Sequence, residues 1–306
     1  MDARLAEEFG RAAGEAPRDL APIAENAYCR IYRGTVGGAP AVFKKYLQGD
    51  PDLPLNEAAG IELHHRVAER DPRLLDGRAL GTDAEARVVA MTFVPGKRLS
   101  DAIRSPAARA DCVAAMAALG GVLHAWRAES TAPEAVPDPF HFEYLRYTSE
   151  KLARFRLLGR ALFPGAVEES EELAASVRGV RLPVSFAHGD FVPRNVHLDG
   201  GRVGIIDFAN SLRRSHPAND ALNLWFALQS MRIDAPFRAE LWGAFAAAVG
   251  PGLAPEGVER FFFEYHRRRW LMLNIVDAGP ARRLRGLAAA RGFAAPWKRL
   301  GGRLLP

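Results

Sequence analysis

The sequence predicts an α+β chain of two lobes, a small β-rich one followed by a larger helical one. Three observations carry that prediction. Alternating, strand-like runs concentrate in the first hundred residues, Pro95-Gly96 breaks the chain just after them, and helical spacing dominates the remainder of the chain. The expected boundary separates residues 1–94 from 95–306. A chain of 306 residues is too long for one small core and suits that division.

The elements are read in chain order. Cys29 to Leu47, CRIYRGTVGGAPAVFKKYL, holds two alternating runs split by VGGAP, a hairpin signal. LNEAAGIELHHRVAER comes next at helical spacing, the one helix expected in this region. ARVVAMTFV is a short β-branched strand ending at Pro95, and Ser100 reads as the N-cap of a brief helix over DAIRS. Beyond it, AARADCVAAMAALGGVLHAWRA, EYLRYTSEKLARFRLLGRAL and EESEELAASVRG read as helices, LPVSF as a strand, and several more helices close the chain. The apolar stretch around Gly120, Gly121 and His124 is too short for a bilayer span and reads as a buried helix.

Composition narrows the class. Apolar residues make up 48% and charged ones 25%, the balance of a soluble globular protein. Cys29 and Cys112 cannot build a disulfide framework, so a reducing compartment is expected. The charged start MDARLAEEFG lacks an apolar h-region, so no secretory signal is expected. From Ala221 onward, thirteen bases face six acids, which makes the C-terminal part basic and its tail most of all.

The densest chemistry lies in Ser185 to Asn210, SFAHGDFVPRNVHLDGGRVGIIDFAN. Two short β runs flank the turn Asp199-Gly200-Gly201, where glycine permits positive φ. Such a hairpin returns Asp207 to the loop that carries Asp190 and Asn195. A carboxylate with an amide oxygen suits Mg²⁺, a hard cation, and a second carboxylate off the metal can accept a proton from an attacking hydroxyl. Those are the parts phosphoryl transfer needs.

H-x-D-x-x-x-x-N followed by an apolar strand ending D-F-x resembles the protein-kinase-like superfold, and HGDFVPRNVHL…IIDFAN resembles its aminoglycoside phosphotransferase and choline kinase branch. The resemblance spans Ile23 to about Leu224. It implies a bilobal kinase-like fold, with Asp190 as catalytic base and Asn195 and Asp207 as metal ligands. Ala209, where protein kinases have glycine, argues against a mobile activation switch. The two lysines of PAVFKKYL face opposite sides of a strand, and the resemblance to V-A-I-K favours Lys44 over Lys45 as the phosphate anchor. Its helical partner is Glu57 or Glu62. Glu57 shares a face with Ile61, His64 and Ala68 and is the better candidate. No Gly-rich loop is present, and Glu25 to Arg30 takes its place. VVAMTFVPGKRL resembles the strand and hinge that hold the adenine, with Met91 behind the ring and backbone groups of Thr92 and Val94 bonding the base. His188 is expected to hold its loop and Asp220 to be structural. His64, His65, His197, His216 and His266 show no metal-ligand spacing.

The implied reaction moves the γ-phosphate of ATP to a hydroxyl with Mg²⁺ bound, ATP against GTP being left open. The basic C-terminal part argues against a polycationic acceptor and suits a sugar, a phosphorylated metabolite or an anionic glycolipid core. No nucleic-acid module accompanies the charge, so nucleic acid is not an expected partner. A cytoplasmic place is expected. The tail RRLRGLAAARGFAAPWKRLGGRLL reads either as a basic solvated helix or as an amphipathic segment resting on the anionic inner face of the membrane. Two rivals remain: a protein kinase, disfavoured by the short path from Asp207 to HPAND, and a catalytically silent nucleotide-binding regulator, disfavoured because every reactive side chain is kept.

Overall fold

A computed structural model of the chain describes residues 3–130, 132–135, 139–154, 166–250 and 256–277, with positions 279, 283 and 286. The chain divides into two compact units, Met1–Trp126 with His188–Arg213, and Arg127–Ala187 with Arg214–Pro306.

The first unit is built on a five-stranded antiparallel sheet. Its strands are β1 (Arg18–Glu25), β2 (Cys29–Val36), β3 (Ala39–Tyr46), β4 (Ala79–Asp83) and β5 (Val88–Thr92), in the order β1-β2-β3-β5-β4. The expected hairpin is β2-β3, turned by Gly37 and Gly38 at positive φ. Period-two alternation sends successive β3 side chains to opposite faces. Phe43 packs with Ala41, Val88 and Ala90 against Phe9 and Ala12 of α1 (Ala3–Ala13). Tyr46 packs on the other face with Cys29, Val89 and Ala209, beside Leu53 and Ala58 of α2 (Leu53–Ala68). The N-terminal helix corrects the expectation of a single helix here. Its signal was Leu5, Phe9 and Ala12 at i, i+4 and i+7.

A second, three-stranded sheet positions the reactive segment. β6 (Lys97–Arg98) pairs with β9 (Val196–Asp199), and β9 with β10 (Arg202–Ile205) in the predicted hairpin, whose Gly200 and Gly201 take positive φ. The hairpin is tied to the chain after α2, where Leu75 N–H donates to Val203 O (2.7 Å) and Val203 N–H to Arg73 O (2.8 Å). The short helix α3 runs Leu99–Ala102 with Arg98 at its cap, so Ser100 lies inside the first turn and does not cap it. Two residues, Leu99 and Ser100, joined the helix ahead of the expected start.

The long helix α4 (Arg109–Ser130), with the 3₁₀ turn Pro106–Ala108 before it, makes up most of a span, Pro106–Glu129, long and apolar enough to cross a membrane by composition. Its Cys112, Met116, Leu119, Leu123 and Trp126 are fully buried, as a core helix requires. The second unit holds α5 (Pro139–Ala153), α6 (Ala166–Val177), α7 (Ala218–Gln229), α8 (Ala235–Val249) and α9 (Glu256–Leu271), plus the antiparallel pair β7 (Ala132–Ala135) and β8 (Leu182–Ala187). Helix α9 buries Phe261, Phe262 and Phe263, and also Arg268. That guanidinium donates to Ser149 of α5 and to Glu169 of α6 (2.6 Å), so the buried charge is paired. Asp220 is buried in the first turn of α7, whose cap position is Pro217. Residues 287–306, most of the basic tail, lie outside the described residues.

Candidate active site

A cavity of about 530 Å³ opens within the first unit. Lys44 of β3, Glu57 and His64 of α2, Met91 and Thr92 of β5, Val94 of the segment leaving β5, Arg194, Asn195, His197 and Asp207 all line it.

Lys44 is the centre of its charge. Its Nζ donates to Asp207 Oδ1 (2.5 Å) and to Glu57 Oε1 (3.2 Å). Burial alone would push the Lys44 ammonium down, but the carboxylates of Glu57 and Asp207 overcome it and hold it well above the ordinary lysine value. Burial likewise opposes ionisation of Asp207, yet Lys44 keeps that carboxyl below the usual range. Glu57 is the deeper partner, and burial pushes its carboxyl up against the pull of Lys44. Tyr46, two residues along the same face of β3, donates its hydroxyl to the second oxygen of Glu57. Lys45 points the other way, to Glu8 of α1 (2.7 Å) and the Ala86 carbonyl (2.6 Å). Glu62, the alternative on α2, is exposed.

Asp207 is held by its surroundings. Its backbone is left-handed (φ 68°, ψ 58°), a region aspartate tolerates better than most residues and one that recurs at functional sites. The next residue, Phe208, is buried among His188 (ring centroids 4.6 Å), His64 (5.6 Å) and Trp126 (6.1 Å), which anchors the turn. Ser211 Oγ donates to the Asn56 carbonyl of α2 (3.0 Å).

The loop from His188 to Asn195 is clamped to the same turn. His188 Nε2 faces the Ile206 carbonyl (3.0 Å) and so carries the proton, while Nδ1 accepts the Asp190 amide (3.3 Å). Burial pushes the His188 pKa down and keeps the ring neutral. Ile206 N–H donates to the Asn195 carbonyl (2.9 Å). Gly189 has φ 78°, and a Cβ there would collide with the Asn210 carbonyl oxygen, so only glycine fits between His188 and Asp190. The Asn195 amide nitrogen donates to Asp190 O (2.9 Å) and Oδ2 (3.0 Å). Both partners are acceptors, which fixes the amide and turns its oxygen away from Asp190. Arg194 also donates to Asp190 Oδ2 (2.7 Å). Asp190 therefore meets the cavity through Arg194 and Asn195, which line it.

At the other end, Met91, Thr92 and Val94 line the cavity as the sequence suggested. Their backbone groups differ in availability. Thr92 N–H donates to the Arg78 carbonyl (2.9 Å), and the Val94 carbonyl accepts from His197 Nδ1 (3.1 Å). The Val94 amide has no partner among the described residues. Sequence reasoning missed Tyr46, Arg194 and His197 as contributors. The alternation that placed Lys44 also placed Tyr46 on the cavity side.

Residues 19–271 match the model of the phosphotransferase enzyme family. The chain belongs to that family. Among solved structures, this phosphotransferase is similar to a glucosamine kinase in complex with glucosamine, ADP and inorganic phosphate, at 18% identity and TM-score 0.66, covering 92% of this chain and 81% of the other. It is also similar to a thermostable mutant of aminoglycoside phosphotransferase APH(4)-Ia (18% identity, TM-score 0.60, 96% and 100% covered). A third is the streptomycin–ATP–APH(2")-IIa ternary complex (13% identity, TM-score 0.57, 95% and 96% covered). These likenesses establish the α+β, protein-kinase-like fold. No curated protein matches the chain.

Proposed function

We propose that this phosphotransferase moves the γ-phosphoryl group of ATP to a hydroxyl of a small molecule. The observation that carries the reading is the Lys44 ammonium joined to both Glu57 and Asp207 at the wall of one cavity, with Asn195 also lining that cavity. In this reading Lys44, kept in place by Glu57, exchanges Asp207 for the α- and β-phosphates. The oxygen of Asn195 and the carboxylate of Asp207 are the hard donors that would hold Mg²⁺, which when bound neutralises phosphate charge. The Val94 amide donates to the base, beside Thr92 and behind it Met91. Asp190 accepts the acceptor's hydroxyl proton as the O–P bond forms and the bond from Pγ to the ADP oxygen breaks. Residues 1–94 thus serve the nucleotide, and residues 95–306 the chemistry and the acceptor.

For the acceptor we infer a neutral or anionic hydroxyl compound, a sugar, a phospho-metabolite or a lipid-core saccharide. Solved relatives are named with glucosamine, hygromycin B and streptomycin. From Ala221 onward thirteen bases face six acids, a balance that suits a neutral or anionic compound better than a polycation. The test is a ³²P-ATP transfer screen over aminoglycosides, amino alcohols, sugars and lipid-core saccharides, with Asp190→Asn as the blank. The blank should fold and lose about 10³-fold in turnover. Wild-type turnover in the blank removes Asp190 from its role, and preferred turnover of aminoglycosides removes the acceptor class.

A further inference from the structure

Arg194 is a cation that the phosphoryl-transfer reading leaves without a task. It sits in the 3₁₀ turn Pro193–Asn195, one residue before a proposed metal ligand. Its side chain is 64% exposed, yet it lines the cavity and gives one nitrogen, Nη2, to Asp190 Oδ2 at 2.7 Å. Asn195 donates to that same oxygen, so Asp190 presents Oδ2 to its two neighbours and has Oδ1 for another partner. The remaining donors of the guanidinium have no partner among the described residues.

A guanidinium is a planar fork of five donors that can hold one carboxylate oxygen and reach a second anion with the others. The anion that must come near Asp190 is determined by the chemistry. If Asp190 takes the proton of the attacking hydroxyl, the phosphorus that hydroxyl attacks lies one oxygen away. Its equatorial oxygens gather charge in transit. Lys44, held deeper in the cavity by Glu57, is taken by the α- and β-phosphates in the phosphoryl-transfer reading. No Gly-rich loop stands in the sequence to supply a ring of amides over the terminal phosphate. Arg78 and Arg98 also line the cavity, but Arg194 is the cation in contact with the proposed base.

We propose that Arg194 is a catalytic residue whose free guanidinium donors bind the γ-phosphoryl oxygens in the transition state while Nη2 keeps hold of Asp190. The proposal rests on the phosphoryl-transfer reading and adds a residue to it. One arginine then fixes the distance between base and phosphoryl group, and it supplies a positive charge where negative charge develops. The bond changes are those of the transfer itself: the acceptor O–H proton passes to Asp190, the new O–Pγ bond forms, and the bond to the ADP oxygen breaks.

The experiment is steady-state turnover of ATP by Arg194→Ala and Arg194→Lys across pH 5 to 9, with the best acceptor from the transfer screen, beside wild type and Asp190→Asn. The side chain is largely exposed, so both variants should match wild type in thermal unfolding. Removing a donor that acts in the transition state should lower kcat on the order of 10²-fold at every pH, with KM for ATP nearly unchanged. Lys should recover part of the loss, because it keeps the charge without the fork. A merely electrostatic role on Asp190, which also faces Asn195 and the neutral His188, would shift the acid limb of the profile and leave the plateau at the wild-type rate. That result overturns the proposal, as does a wild-type kcat in Arg194→Ala. If instead Asp190→Asn turns over like wild type, the phosphoryl-transfer reading itself fails, a separate outcome.

Discussion

Replacing Glu57 with glutamine keeps the shape of the side chain and removes its charge. Glu57 is 1% exposed and holds Lys44, itself 7% exposed, at 3.2 Å. Removing one partner of a buried pair costs about 3–5 kcal/mol, because a buried charge is left behind. Here Asp207 still faces Lys44 at 2.5 Å, and the glutamine carbonyl can still accept from Tyr46. The cost should therefore sit at the low end, about 3 kcal/mol. In a unit of this size that is a fall of roughly 6–12 °C in the unfolding midpoint. The assay is thermal and urea unfolding of both proteins at pH 7.5, paired with calorimetric titration of ATP. Without Glu57 to share it, Lys44 is drawn towards Asp207, so nucleotide affinity should fall as well. Burial pushes the Glu57 carboxyl up, and if it carried its proton at neutral pH the glutamine would be silent in both measurements. An unfolding midpoint within about 1 °C of wild type would thus refute the ion pair as the element that stabilises this site.

Other expectations come from the same structure. His64 and His216 are pushed down to about 3 by burial, and His266 lies well below its ordinary value for the same reason. Each binds a proton when unfolded but not when folded, so stability is complete above about pH 6.5 and falls on acidification, by up to about 1.4 kcal/mol per pH unit for each histidine. Unfolding midpoints should hold from pH 7.5 to about 6.5 and drop from there to pH 5, and a profile flat throughout would contradict the burial of these rings. Gly189→Ala forces a side chain into φ 78° and onto the Asn210 carbonyl, so urea unfolding should show a loss of at least about 2 kcal/mol, with turnover lost too. Lys44→Met should abolish nucleotide binding in calorimetry. Lys45→Met should leave turnover intact and cost about 1 kcal/mol, because Glu8 loses its ammonium but keeps Arg4.

Much of the site was legible because short periods fix direction. A strand alternates sides, so one of Lys44 and Lys45 had to face the helix, and Glu57 met it because the i, i+4, i+7 face of α2 is the buried one. The hairpin Val196–Ile205 was legible from Asp199-Gly200-Gly201, since glycine there answers a backbone requirement. Contacts across long sequence separations were not. Nothing local indicates that His197 donates to the Val94 carbonyl across 103 positions, or that Arg194 closes on Asp190 and not on solvent. Helix α1 carried a readable apolar stripe, but strand signals around it masked an amphipathic segment of eleven residues. Ser100 shows the opposite error, a good capping residue that lies two positions past the cap, inside its helix.

In the proposed reaction one magnesium–triphosphate is gripped from two sides, by a lysine anchored on a buried glutamate and by an amide and a carboxylate brought together by a hairpin. A crystal structure with a non-hydrolysable ATP analogue and Mg²⁺ tests it most directly. Lys44 Nζ should lie on a phosphate oxygen with Glu57 still bound to it, and a metal should bond to Asn195 Oδ1, Asp207 and phosphate. A nucleotide bound elsewhere, or one in this cavity with Lys44 still on Asp207 and no metal between that carboxylate and the phosphates, would contradict it.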